Sequence, residues 1–137
     1  MGGRDDPRRV GTAELLRFFT DAERFVTLDA LGVAVIAVLL QHVDTRRGPN
    51  RYTAWPSIAR VAKVARVSVN TTRDRLRAFQ PWLVIRALPR MGSRQPPNVY
   101  DVVAAADEIL RARRPLRQFT VIAGGRYQPP PKTEAEA

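Results

Sequence analysis

Apolar positions recur most clearly between residues 27 and 44. Leu31, Val35, Val38, Leu39 and His42 return at helical spacing, so a helix with one buried face is predicted there. Thr27 is placed to cap it, and Asp29 suits the positive end of its dipole. Ala34 and Ala37 permit close approach by a neighbour. Gly32 costs about 1 kcal/mol against alanine inside a helix, which points to a tight contact. A shorter helix is predicted over 12–19, capped by Thr12, with Glu14 in its first turn and Leu15, Leu16, Phe18 and Phe19 as apolar surface.

Two short helices follow a brief strand at 52–55. Ser57 caps the first, which runs to about Ala65, and Ser68 caps the second, which runs to about Phe79 before Pro81. Residues 82–89 and 98–103 read as strands on either side of a Gly/Ser/Pro turn, giving a hairpin with a long basic tip. A last helix is predicted over 104–114, with Ile109 and Leu110 inward and Pro115 as its end, then a strand or docked tail over 116–122. Residues 1–11 and the Pro-rich 124–137 are predicted to be disordered. The organisation is then an N-terminal helix and linker (12–26), a central domain (27–103) and a C-terminal helix with a docked segment (104–123). The fold class is mainly α with a small β-hairpin.

Charge narrows the function classes. The 137 residues carry 23 Lys and Arg against 13 Asp and Glu, a formal net charge of +10. Such a surface attracts polyanions, nucleic acid first and anionic membrane second. GC-rich coding would explain arginine in place of lysine, but not the excess of positive over negative. The charge is also concentrated: from Arg60 to Arg94 there are nine basic residues against the single acid Asp74, so this segment holds +8 of the chain's +10.

The helix capped by Ser68 can be read on its cylinder. Thr72, Leu76 and Phe79 lie at i, i+4 and i+7 and form the predicted buried stripe. Val69, Asn70, Arg73, Asp74 and Arg77 fall on the other side. Short groups near the N-terminus and long donors further along suit a major-groove reader, since Asn pairs with adenine and Arg with guanine. The free N–H groups near Ser68 also favour a phosphate. Thr71 either donates to a phosphate or back-bonds within its own helix.

In the stretch 55–79, Pro56-Ser57, Val61-Ala62, Val67-Ser68, Thr71 and Leu76 stand at the spacing of a known pattern, followed by Leu83-Val84-Ile85. The stretch resembles a winged helix-turn-helix family common in phage and plasmid replication proteins and bacterial transcriptional regulators. The resemblance covers about 28–102. Arg66 stands where the family's turn usually has glycine, Thr72 where a larger apolar residue is usual, Leu83 where glycine often follows, and Val69 at a position often polar. The resemblance implies a mainly helical fold with a hairpin wing, and double-stranded DNA as partner. The candidate DNA contacts are Ser57, Arg60, Lys63 and Arg66; Ser68, Val69, Asn70, Thr71, Arg73, Asp74 and Arg77; and Arg90 and Arg94 on the wing.

Other classes find little support. With no cysteine, disulfides and thiolate chemistry are excluded. No paired carboxylates share a predicted face, Gly124-Gly125 lacks the sequel of a phosphate-cradling loop, and no cofactor, metal or small-molecule site is evident. The apolar run 31–40 is about half the ~20 residues a membrane span needs. His42 reads as a helix-end packing or capping residue, and Trp55 and Trp82, flanking core elements, are predicted to be buried. The sequence favours a cytoplasmic transcriptional regulator; the alternative is the DNA-binding part of a plasmid or phage replication system. A further alternative is an interaction module using Phe18, Phe19 and Phe25, and RNA binding is a third class. A homodimer is compatible, with 12–19 or 104–114 as interface.

Overall fold

The first helix is fixed by its own sequence. In the computed structural model, which describes residues 7–118 (side chains up to 113), α1 spans Thr12–Phe19. Its N-cap is Gly11 rather than Thr12, and the Gly11 N–H donates to Glu14 Oε1 at 3.1 Å. Glu14 also pairs with Arg113, and Arg113 donates to the Pro7 carbonyl at 3.1 Å. Val10 is fully buried, and its N–H donates to Tyr52 Oη at 2.9 Å. The expected disorder over residues 1–11 is therefore corrected for 7–11: a buried valine and these bonds tie the segment down. Residues 1–6 lie outside the described residues.

The central helix, α2 (Ala30–Gln41), is shorter than the expected 27–44. Asp29, not Thr27, is its cap, accepting from the Gly32 N–H at 2.9 Å. The helix carries no charge and is buried on more than one side: Val35, Ile36, Val38, Leu39 and Leu40 all lie in the core. Leu31 and His42, expected on the buried face, are exposed. His42 does close the helix end, its Nδ1 lying 3.1 Å from the Val38 carbonyl. A Cβ at residue 32 would come within 3.0 Å of Leu28 Cδ1, so the close approach at Gly32 is to its own preceding turn.

Next come β1 (Thr53–Ala54), α3 (Ile58–Ala65), α4 (Val69–Arg77), β2 (Val84–Arg86), β3 (Val99–Asp101) and α5 (Val103–Gln118). The fold is mainly helical, with five helices and a three-stranded antiparallel sheet in the order β1-β3-β2 among the described residues. Ala54, Tyr100 and Ile85 stand opposite one another across the sheet. Ala54 and Tyr100 are buried, so this row faces inward, because alternate residues of a strand share a face. α5 continues past Pro115, where an end was expected: the ring's fixed φ matches the helix, at the cost of one backbone hydrogen bond and a clash with the carbonyl four residues earlier. It takes residues 116–118 from the expected strand. The rest of that segment and the expected C-terminal tail lie outside the described residues.

α1 and α5 share one core with the central elements. Leu15, Phe19, Ala105 and Ala106 belong to the same buried cluster as Val35, Leu39, Val61, Leu76 and Tyr100. Within it, Phe19 stacks on Phe25 at 5.6 Å, and Phe79 meets both edge-on at 5.5 and 5.3 Å. Phe18 meets Trp82 edge-on at 5.2 Å. The three phenylalanines considered as an interaction surface are thus the inside of the protein, because each finds an aromatic partner there.

Two carboxylates tie distant segments together. Partial burial pushes the Glu14 carboxyl up, but hydrogen bonds from Arg113 and the Gly11 amide, with the charges of Arg113 and Arg17, leave it below its ordinary value. Arg75 and the Gly32 amide likewise hold Asp29 low. A lowered folded-state pKa stabilises the fold above the unfolded value, and that contribution is lost as pH falls through the folded one. Stability is therefore expected to be level above about pH 5 and to fall progressively below about pH 4. Urea titrations at stepped pH check this; a fall centred near pH 6 would contradict it.

Candidate nucleic-acid interface

The α3–α4 pair is set by two serine caps and one left-handed residue. Ser57 Oγ accepts from the Arg60 N–H at 3.1 Å, and Ser68 Oγ from the Thr71 N–H at 3.1 Å. Between the helices, Arg66 stands at φ 62°, ψ 44°, and the Val67 N–H donates to the Ala62 carbonyl at 3.0 Å. The turn does need the left-handed conformation that glycine adopts freely, and arginine bears the steric cost. Arg66→Gly is expected to raise stability by about 0.5–1 kcal/mol. Urea denaturation measures it, and a loss of stability would contradict the assignment of strain.

α4 has little apolar surface. Thr72 and Leu76 are buried along it, with Phe79 just beyond its end, as the stripe required. Thr72 fits a core position because its hydroxyl is satisfied, donating to the Ser68 carbonyl at 2.8 Å. Leu83 is also fully buried and fills core space. Ser68, Val69, Asn70, Arg73, Asp74 and Arg77 are exposed, and Thr71 is half-buried. Arg73 donates to Asn70 Oδ1 at 3.4 Å, and Arg77 lies 3.7 Å from Asp74, so the exposed face is a line of weakly paired polar groups.

A cleft of about 450 Å³ opens between α4 and the returning limb of the hairpin. Its lining includes Ser57, Arg73 and Arg77 on one side and Gln95, Pro97 and Asn98 on the other, with Leu76, Ile85 and Tyr100. Burial pushes the Tyr100 hydroxyl up, only partly offset by a hydrogen bond with Asn98 and the nearby charge of Arg73. The phenol is neutral at physiological pH. Such an arrangement can hold an anionic, partly apolar strand: cations and amides for oxygen atoms, prolines and Ile85 for the sugar faces.

The other candidate cations stand in two separate places. Arg60, Lys63 and Arg66 line an open depression on the outer side of α3 with Ala59 and Val64. Arg90 and Arg94 lie on the hairpin, outside the cleft lining. The hairpin tip is tighter than expected: Met91 and Arg94 exchange backbone hydrogen bonds at 2.8 and 3.0 Å around Gly92 at φ +62°. Gln95 Nε2 donates to the Leu88 carbonyl at 2.9 Å and ties the two limbs together.

Sequence counting overstated the available charge. Arg75 makes two bonds to Asp29, at 3.0 and 2.8 Å, and Arg86 lies 3.5 Å from Asp101. Both acids stand outside the 60–94 segment. Asn98, Gln95 and Tyr100 carry no mark in the sequence, because nothing local shows that a hairpin residue faces a helix 18 to 31 positions earlier. Trp55, expected to be buried, is 50% exposed just beyond the end of β1.

Among the described residues, no group of three His, Cys, Asp or Glu side chains is placed to hold a metal, and no helix is long and apolar enough to cross a membrane. Comparison with known protein families, curated proteins and solved structures returned no match.

Proposed function

We propose that this chain is a double-stranded-DNA-binding protein of the winged helix-turn-helix class, with no catalytic activity of its own. In this reading α3 and α4 are the helix-turn-helix, α4 enters the major groove from its Ser68 end, and the β2–β3 hairpin is the wing. The observation that carries the proposal is the exposed face of α4. Asn70 and Arg73 project from a serine-capped helix beside the cleft, and α4 buries only Thr72 and Leu76 for the core. The outer face of α3 adds Arg60, Lys63 and Arg66, none with an acid partner among the described residues. The burial of Phe18 and Phe19 removes the surface on which an interaction-module reading relied.

A transcriptional regulator is the preferred role. Selection of bound duplexes from a random pool, with gel shifts at moderate salt, tests the binding. A preferred duplex sequence supports the proposal. Binding no tighter than that of a generic polycation, or a preference for structured RNA, contradicts it. A palindromic preferred site would show binding as a dimer.

The wing contributes through charge. Replacing Arg90 and Arg94 together with alanine is expected to weaken binding on every duplex and to lower the slope of log affinity against log salt by up to about 2. Fluorescence anisotropy across a salt series measures it. An unchanged slope with altered sequence preference would place these side chains on bases instead.

A further inference from the structure

One charged pair links the proposed recognition helix to the centre of the fold, and its two members are 46 residues apart in sequence. Asp29 does two things at once. As N-cap of α2 it accepts from the Gly32 N–H, and with both carboxylate oxygens it accepts from Arg75 Nε and Nη2 at 3.0 and 2.8 Å. This fork-on-fork geometry fixes direction as well as distance.

The place of Arg75 on α4 gives the pair its meaning. Two positions along a helix is about 200° of rotation, so Arg73 and Arg75 leave α4 on opposite flanks. Arg73 lines the cleft and Arg75 reaches α2. Thr72 and Leu76 are the buried side chains within α4 and Phe79 anchors its end, all along one stripe, while the Asp29–Arg75 bonds hold the helix from a flank beside that stripe. The side chains that would meet bases stand about 6 Å from the helix axis, and a turn of 10° moves them by about 1 Å. That is enough to lose a hydrogen bond with a base edge.

We infer that the Asp29–Arg75 pair sets the rotation of α4 about its axis and so determines sequence discrimination, without itself touching DNA. The inference rests on the DNA-binding reading above, and it makes Arg75 a positioning residue rather than one more cation on the interface.

Two variants separate positioning from charge, because they change net charge in opposite directions. Asp29→Asn keeps a good N-cap and adds one positive charge; Arg75→Gln removes one. Both sites are partly exposed and neither belongs to the buried stripe, so thermal melts are expected to show folded proteins. The readout is the ratio of affinity for the preferred duplex to that for random duplex. Both variants are expected to lower this ratio about tenfold, and the double variant to do no worse than either single. If Asp29→Asn binds all duplexes more tightly and Arg75→Gln more weakly, with the ratio unchanged, the pair acts only through charge and the inference is wrong. If the wild-type protein discriminates no duplex at all, the DNA-binding reading fails, and the inference with it.

Discussion

Truncating Phe79 to alanine is expected to cost about 3–5 kcal/mol of folding stability. The ring is 2% exposed and meets Phe19 and Phe25 edge-on at 5.5 and 5.3 Å. It stands two residues beyond the end of α4, so it joins that helix to α1 and to the segment before α2. The loss combines the transfer energy of the ring with a cavity that two neighbouring aromatics cannot close. A domain of this size has about 5–15 kcal/mol in all, so the variant should lie near its unfolding midpoint at moderate urea. A loss below about 1 kcal/mol by urea denaturation would mean that the aromatic cluster does not join α4 to the core.

Arg73→Ala is expected to lower affinity for the preferred duplex by about 1–3 kcal/mol, and to change non-specific binding much less. The side chain is exposed, lines the cleft and, among the described residues, hydrogen-bonds Asn70 Oδ1 at 3.4 Å. That bond is long and lies at the surface, so exchanging it for a guanine edge costs little. Removing Arg73 should therefore leave the melting temperature nearly unchanged. Anisotropy with preferred and random duplexes measures both affinities. An equal loss on every sequence would put Arg73 on a phosphate in the cleft, which would move base reading towards Asn70 and Val69.

Local chemistry made much of this legible from the sequence. Ser57 and Ser68 announce two helix starts because a cap acts within three residues. The Thr72–Leu76–Phe79 stripe is visible because its period is that of the helix. Arg66 stands out because the resemblance places glycine there, and its φ of 62° is the left-handed conformation that glycine adopts freely.

What was not legible depends on distance along the chain. Thr27 was the expected cap of α2, but Asp29 is the cap, and it also bonds Arg75, a residue 46 positions away that sequence alone does not pair with it. Leu31 fits the period of α2 yet is exposed, because a helix apolar on all sides has no single buried face to predict. Val10 looked like part of a tail until Tyr52 supplied an acceptor for its N–H. In the candidate interface, the α4 half was readable residue by residue. The hairpin half, Gln95 and Asn98, emerged only once β3 had been laid against β2 and the cleft formed.

The central claim is that the Ser68 end of α4, with the adjoining cleft, is where duplex DNA sits. Amide chemical-shift mapping during titration with a selected duplex tests it most directly, because it locates the contact surface. The largest shifts are expected at Ser68–Arg73, followed by Asn98 and Arg94, with small changes at Leu31 and Val33, both exposed near the start of α2. Shifts that cluster on α2 or on the Trp55 side of the sheet, and leave 68–73 unmoved, would contradict it.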